Sequence, residues 1–294
     1  MGDSPGSYLA IDIGGTKIAA GVVDATGALS ARQSVQTPLD GGAAGLLDGV
    51  VALATSARTL AGTDVLACGV GCGGPMEGDT VSPLNIPVWR HFPLAASLAD
   101  ALGLAVAVDN DAKALALAEG WLGAARSHRS FLAMVVSTGV GGGIVLDNRL
   151  LDGRLGNAGH IGHVIVEPDG RRCPCGARGC LEAEASGNAL EVVTGEPASE
   201  APHDVRVRTG TLVGRAVASV ASLLDLDLAV VGGSVALGFG APFFEAAQAE
   251  LSKRARLEFS KDCRIVPVGL GDEAPLVGAA AVAMRHDRAT WITP

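Results

Sequence analysis

An α/β fold carrying an internal duplication is predicted by three observations. Short apolar strands alternate with helical segments along the 294 residues. A strand, glycine turn, strand pattern near the start recurs in the middle of the chain, at a spacing too long for a solenoid repeat. Apolar residues make up 48% and charged residues 18%, and a chain of this length suits two domains or one domain duplicated.

The elements follow in order. Residues 8–13 form an apolar strand that enters Gly14-Gly15-Thr16-Lys17 and leaves as a second strand over 18–23, with a turn at 24–27. A helix is predicted over 45–61, where apolar positions keep helical spacing and Gly62 stops the pattern. A buried strand over 65–70 leads into Gly71–Pro75. A helix at 94–102, a strand at 105–108 and a helix from 111 to 123 come next, the last capped by Asn110 or Asp111. The pattern then repeats: strand 131–136, glycine-rich turn 137–143, strand 144–146. Helices at 211–224, 242–257 and 275–286 alternate with strands at 228–231 and 264–268. Residues 194–210 carry Pro, Glu and Gly with weak periodicity and read as loop.

Composition narrows the function. The net charge of −9 and the lack of a basic block argue against a nucleic-acid surface. No apolar run reaches the roughly 18 residues of a membrane span, and the first seven residues lack a signal core, so a cytoplasmic location is expected. Six cysteines in a reducing compartment read as metal ligands or core residues rather than disulfides. Cys68, Cys72 and Cys263 have no ligand spacing and read as small buried hydrophobes.

The densest chemistry lies between His160 and Glu182. His163 with Cys173, Cys175 and Cys180 gives the ligand count of a closed tetrahedral zinc site, leaving no open position for metal-centred chemistry. His160 and Glu182 are surplus to that count, which suggests a metal-stiffened loop presenting polar groups to a ligand. Asp12-x-Gly14-Gly15-Thr16-Lys17 offers bare backbone N–H groups and a hydroxyl to a phosphate, and Asp12 stands where it would hold magnesium through water. The alternative is a hairpin that needs glycine; the P-loop pattern is absent. Two further glycine turns, at Thr138-Gly139 and Gly232-Gly233, also follow apolar strands. Asn110-Asp111 places a carboxylate and an amide at a strand-to-helix junction, fit to accept a hydroxyl proton and to hold neighbouring hydroxyls, or simply to cap the helix. Asp109 reads as a cap or strand-end residue.

Together these segments resemble the ROK family (repressors, open reading frames, sugar kinases) of the actin–hexokinase superfamily. Asp12–Lys17 resembles its first phosphate loop, Asn110-Asp111-Ala112 its catalytic segment, and 137–144 its second phosphate loop. Residues 159–163 and 173–182 resemble its zinc signature, and 85–94 the segment over its sugar pocket. Val231-Gly232-Gly233 and Val277–Ala280 resemble its adenosine-side turn and closing helix.

The resemblance implies a duplicated actin-like, ribonuclease H-like fold with two lobes and a central cleft. Residues 1–110 with a C-terminal helix over 275–294 would form the small lobe. Residues 111–274, with the zinc loop 160–182, would form the large one. It implies a glucokinase-like enzyme passing the γ-phosphoryl of ATP to the 6-hydroxyl of a hexose, with Asp111 as base. Asn110, His163 and Glu182 would hold sugar hydroxyls, with Asn85, His160, Gly73 and Gly74 also at the sugar. Gly14, Gly15, Thr16, Lys17, Thr138 and Gly139 would meet phosphates, and Gly232 and Gly233 the adenosine side. Asp12 would orient Mg2+, and Zn2+ would be structural. A homodimer is expected.

Three departures qualify this. His160 stands where the family's kinases usually carry Glu; an imidazole accepts one hydrogen bond and donates one, where a carboxylate only accepts. The segment 186–213 is shorter than in typical members. Only seven residues precede the first strand, which leaves no room for the DNA-binding domain of the family's repressors. A non-catalytic sugar-binding sensor is the alternative. His91, His128, His203 and His286 have no ligand spacing, Trp121 and Trp291 read as packing residues, and Trp89 either packs or lines the cleft.

Overall fold

The structure, a computed structural model, describes residues 6–78 and 80–286. Trp291, the side chain of His286 and the helix expected beyond residue 286 lie outside the described residues. The strands are β1 (Ser7–Ile13), β2 (Lys17–Asp24), β3 (Leu29–Gln36), β4 (Val65–Cys72), β5 (Met76–Glu77), β6 (Thr80–Val81), β7 (Val106–Asn110), β8 (Phe131–Val136), β9 (Val140–Leu146), β10 (Arg149–Leu150), β11 (Leu228–Gly232) and β12 (Arg264–Pro267). The helices are α1 (Gly42–Ala61), α2 (Leu94–Leu102), α3 (Asp111–Trp121), α4 (Leu181–Ala185), α5 (Gly187–Thr194), α6 (His203–Leu224), α7 (Ser234–Phe239), α8 (Ala241–Arg254) and α9 (Ala274–His286).

The chain forms two compact units. Within the described residues, unit 1 takes in 6–118, 152–158 and 272–286, and unit 2 takes in 119–151 and 159–271. The expected boundary after residue 110 coincides with the start of α3, whose first eight residues belong to unit 1.

Unit 1 is a five-stranded sheet in the order β3-β2-β1-β4-β7, with β1, β4 and β7 parallel and β2 and β3 antiparallel. Leu9, Ile11 and Ile13 of β1 alternate onto one face, where they join Leu46, Val50, Leu53, Ala54 and Ala57 of α1 and Leu94, Leu98 and Leu102 of α2. Gly62, left-handed at φ 62°, ends α1 by returning its N–H to Arg58 O. On the other face α9 packs against β4 and β1. The stretch Leu39–Ala61, α1 with its 3-10 lead-in, is long and apolar enough by length and composition to cross a membrane; its apolar stripe instead covers the sheet.

Unit 2 repeats the plan. Its sheet runs β10-β9-β8-β11-β12, again two antiparallel strands followed by parallel neighbours. The repetition of strand order is the duplication predicted from the two glycine-turn hairpins. The unit 2 core gathers strand residues such as Leu132, Met134 and Val231 with α6 and α8 residues such as Val213, Val217, Phe243 and Leu251. Helices α6 and α8 approach until their backbones touch. A Cβ at Gly210 would overlap Phe243 O, and one at Gly214 would overlap Ala247 O, so only glycine permits this spacing.

Three sequence readings are corrected. Strand β3 was not anticipated; its exposure alternates only weakly because it is an edge strand with one poorly covered face. The glycine-rich turn expected over 137–143 ends at residue 139, and Gly141, Gly142 and Gly143 pair with β8. Residues 203–210, expected as loop, are the first turns of α6, begun after Pro202; Asp204 in its first turn suits the helix dipole. The shortened stretch 186–213 holds α5, a 3-10 turn at Ala198–Glu200 and the start of α6.

Candidate active site

In unit 1 the carboxyl ends of the parallel strands carry the acidic residues. Asp12 of β1 pairs in register with Gly71 of β4, and Gly71 with Asp109 of β7. Asp111 follows as the first residue of α3. A Cβ at Gly71 would lie 3.5 Å from Asp12 Oδ1 and 3.6 Å from Asp111 Cα, so Asp12 and Asp111 flank a position without a side chain. Burial, and then the negative charge of Asp111, push the Asp12 carboxyl up to about 7, with Lys17 acting the other way. Two carboxylates so placed favour a cation between or beside them.

The segment 109–113 is closed on itself. Asn110 N donates to Asp109 Oδ1 at 2.8 Å, and Asn110 Oδ1 accepts from Ala112 N at 3.0 Å and Lys113 N at 3.4 Å. Asn110 therefore caps α3, as one of the two sequence readings held. Asp111 is exposed, with Oδ1 accepting its neighbour's N–H at 2.8 Å. Asp109 is more than a cap. It is buried and forms an ion pair with Lys113 at 2.8 Å, with Arg285 beyond. Burial raises its pKa against the pull of Lys113 and Arg285. Lys113 and Arg285 also hold Asp152; burial pushes that carboxyl upward too, but hydrogen bonds from Arg285 and Lys113 outweigh it and its pKa falls.

The first glycine turn joins β1 to β2. Gly14 N donates to Lys17 O at 3.0 Å, and Thr16 and Lys17 are exposed. Thr37 pins the turn from outside: its Oγ1 donates to Gly14 O at 2.7 Å and its N–H to Thr16 O at 3.0 Å. Gly15 is pressed on Asn85, where a Cβ would meet Asn85 Cβ and O at 2.8 Å. Asn85 is itself exposed. Gly73 and Gly74 lie between β4 and β5, and Gly74 O accepts Leu84 N at 3.2 Å. Trp89 is fully buried, stacked on Phe92 with ring centroids 4.7 Å apart and donating to Ala43 O. It packs rather than lining a cavity.

In unit 2 the other glycine turns meet. Ser137 Oγ and Ser234 Oγ lie 2.9 Å apart, joining the β8–β9 turn, with Thr138 and Gly139, to the β11–α7 turn, with Gly232 and Gly233. Gly233 sits at φ 96°, and a Cβ there would overlap Val136 O. Gly187 N donates to Ser137 O at 2.7 Å and Asn188 N to Thr138 O at 3.3 Å, so the start of α5 braces the same turn. Glu182 Oε2 accepts Val140 N at 3.1 Å.

His163, Cys173, Cys175 and Cys180 converge, their candidate ligand atoms all within 4.8 Å of one another. Cys173 Sγ lies 3.7 Å from His163 Nδ1, and Cys175 Sγ lies 3.7 Å from Cys180 Sγ. A tetrahedral zinc with ordinary bond lengths has edges of about 3.8 Å between thiolates and about 3.6 Å between thiolate and imidazole, so these residues fit the ion. The hairpin is preformed: Cys173 N donates to Ala177 O and Gly176 N to Cys173 O, and Gly179, at φ 69°, passes so close to Glu167 O that no side chain fits. Behind it, buried Glu184 accepts from Arg171 N at 2.6 Å and Arg208 Nη2 at 2.7 Å. Burial pushes its carboxyl up, but these donors prevail and its pKa is lowered.

His160 is not among the converging ligands. It precedes the 3-10 turn Ile161–His163, whose three-residue period sets the rings of His160 and His163 on one side, 6.2 Å apart with planes 17° from parallel. Two of the remaining histidines face carboxylates: His128 Nδ1 lies 2.8 Å from Asp227 Oδ2, and His91 Nδ1 lies 3.7 Å from Glu77 Oε2. Cys68, Cys72 and Cys263 are buried, as expected. Thr37, Lys113, Asp152 and Arg285 were missed. They reach their partners across 23, 39 or 133 residues of sequence, and no local spacing signals such a contact.

A sequence model of the ROK family matches residues 8–286, and the chain belongs to that family. It is 31% identical over 317 aligned positions to the glucokinase of Streptomyces coelicolor, covering 96% of this chain and 99% of that one. It is 37% identical over 251 positions to the N-acetylmannosamine kinase of Yersinia pseudotuberculosis, covering 80% and 85%. Its fold superposes on a ROK family glucokinase from Streptomyces griseus, solved with glucose and AMPPNP, with a TM-score of 0.83 and 34% identity over 95% of this chain and 100% of that one. The fold is thus the duplicated actin-like α/β class expected from the resemblance.

Proposed function

We propose that the protein is an ATP-dependent sugar kinase that transfers the γ-phosphoryl group to the 6-hydroxyl of a hexose. The observation that carries this reading is the pair Asp12 and Asp111 flanking Gly71 at the carboxyl ends of the parallel strands, where ligands bind in open α/β sheets. The similarity to glucokinases and N-acetylmannosamine kinases supports the substrate class.

In this reading Asp111, exposed at the helix start, accepts the proton of the attacking hydroxyl. Asn110, Asn85, His160, His163 and Glu182, with the backbone at Gly73 and Gly74, are the sugar-binding residues of this reading. Gly14, Gly15, Thr16 and Lys17 bind phosphate, as do Thr138 and Gly139, and Gly232 and Gly233 take the adenosine side. Mg2+ arriving with ATP would be oriented by Asp12 and would neutralise charge on the transferring group. Zn2+ would be held by His163, Cys173, Cys175 and Cys180 as a structural ion. Held through Nδ1, the nitrogen 3.7 Å from Cys173 Sγ, His163 would carry its proton on Nε2 and would donate it to a sugar oxygen. The preformed hairpin and the Glu184 ion pairs hold that imidazole, and Glu182 two residues after Cys180, in place. A cytoplasmic location, where ATP is available, and a homodimer belong to the same reading.

The test is an ATP-coupled assay with glucose, mannose, N-acetylmannosamine, N-acetylglucosamine and allose. Phosphorylation of at least one is expected, with ADP formed one for one. Because His160 presents one donor and one acceptor, the second reading is a sugar-binding protein without turnover. Calorimetric binding of a sugar, unchanged by ATP and with no ADP formed, would replace the kinase reading with that one.

A further inference from the structure

We propose that Lys113 is a positioning residue that sets two sugar-contacting stretches of unit 1 at once, through the segment 152–158; this rests on the kinase reading above. Lys113 is only 2% exposed. Its ammonium reaches Asp109 Oδ1 at 2.8 Å, Asp152 Oδ1 at 2.9 Å and Gly156 O at 3.2 Å. Three acceptors use all three of its N–H bonds. Taking an ammonium out of water is costly, and an apolar side chain would serve a helix that only needed packing. What the ammonium adds is direction: one acceptor, Asp109, adjoins Asn110 and Asp111, and the other two, Asp152 and Gly156, lie in the segment 152–158.

The first arm runs to Asn110 and Asp111. The Asp109 oxygen that takes Lys113 Nζ also takes Asn110 N, and Lys113 N itself donates to Asn110 Oδ1. Asp111 is thereby held at the apex of a closed five-residue turn. The second arm runs through the loop 152–158, which closes on itself by Ala158 N to Asp152 O at 3.0 Å. Asn157 in that loop clamps Met76 at both polar groups, donating Nδ2 to Met76 O at 2.7 Å and accepting Met76 N at 2.9 Å. Met76 follows directly on Gly73-Gly74-Pro75. One lysine thus joins the residue that takes the proton to the backbone that approaches the sugar. Arg285 completes the charge balance, two cations against Asp109 and Asp152.

The test uses the full chain with Lys113→Met, Lys113→Arg and Asn157→Ala. Amide hydrogen exchange is read without sugar on the segments 73–78 and 109–114. Lys113→Met should speed exchange about tenfold in both segments, and Asn157→Ala in 73–78 alone. In the kinase assay KM for the sugar should rise about tenfold in Lys113→Met and Asn157→Ala, with KM for ATP within about twofold. Lys113→Arg should recover part of the loss. A lysine that merely stabilises the fold would lower Tm and the active fraction and leave KM for the sugar and exchange at 73–78 as in the wild type, and that result overturns the inference. If the wild type phosphorylates nothing, the kinase reading fails and the exchange data still decide: unchanged exchange at 73–78 in both Asn157→Ala and Lys113→Met contradicts the coupling. Should Lys113→Met not fold, Lys113→Arg takes its place: faster exchange in both 73–78 and 109–114 is expected, and exchange unchanged in both overturns the inference.

Discussion

The carboxylate of Glu182 accepts the backbone N–H of Val140 at 3.1 Å. Glu182 lies two residues after Cys180, and Val140 directly follows the Thr138-Gly139 turn. The cysteine hairpin and the second glycine turn are therefore mechanically one piece, and what loosens one disturbs the other.

Removing the metal tests that connection. Cys180→Ser, or treatment with a strong chelator, should take zinc from about one ion per chain to near zero by atomic emission. Tm should fall by about 5 °C or more. Affinity for the sugar should weaken about tenfold as His163 and Glu182 lose their support. A chain that carries no zinc when purified, yet has full sugar affinity, would contradict the site.

Thr37 pins the first glycine turn with a side-chain bond to Gly14 O. Thr37→Val keeps the shape and removes that donor. A lost hydrogen bond of about 1 kcal/mol corresponds to a KM for ATP raised about fivefold, with KM for the sugar unchanged. Steady-state kinetics with each substrate varied in turn gives both values.

The pH dependence of stability follows from Asp12. Its folded-state pKa stands raised from 3.8 to about 7, so between these values the folded state holds a proton that the unfolded state has released. Stability from this group is therefore lost as pH rises from about 4 to 7. Asp12→Asn removes the titration. In the absence of ligand the variant should gain on the wild type by about 1–3 kcal/mol between pH 4 and pH 8, measured by urea unfolding. An unchanged difference across that range would show that Asp12 titrates normally.

At Gly210, where α6 meets the Phe243 carbonyl of α8, alanine forces the helices apart. Gly210→Ala should cost about 1–3 kcal/mol in urea unfolding while leaving both KM values unchanged.

Much of the site was legible because its parts are local in sequence. The four candidate metal ligands fall in one 18-residue stretch, and each glycine turn directly follows an apolar strand whose period announces it. The duplicated sheet was visible for the same reason. Strand β3 was not, since an edge strand with little buried surface carries no strong alternation. The start of α6 was hidden by the Pro, Glu and Gly that precede it. The Lys113–Asp109–Asp152–Arg285 cluster was out of reach: Asp109 and Lys113 have the spacing of any helical ion pair, and nothing local says that Asp152 and Arg285 join them.

The central claim is that Asp111 takes the proton from the sugar hydroxyl. The direct measurement is turnover and sugar affinity of Asp111→Asn, side by side with the wild type on the best sugar of the panel. Turnover should fall by about 10²- to 10⁴-fold, with the calorimetric Kd for the sugar within about threefold, under 1 kcal/mol. A variant that turns over as fast as the wild type would contradict the account.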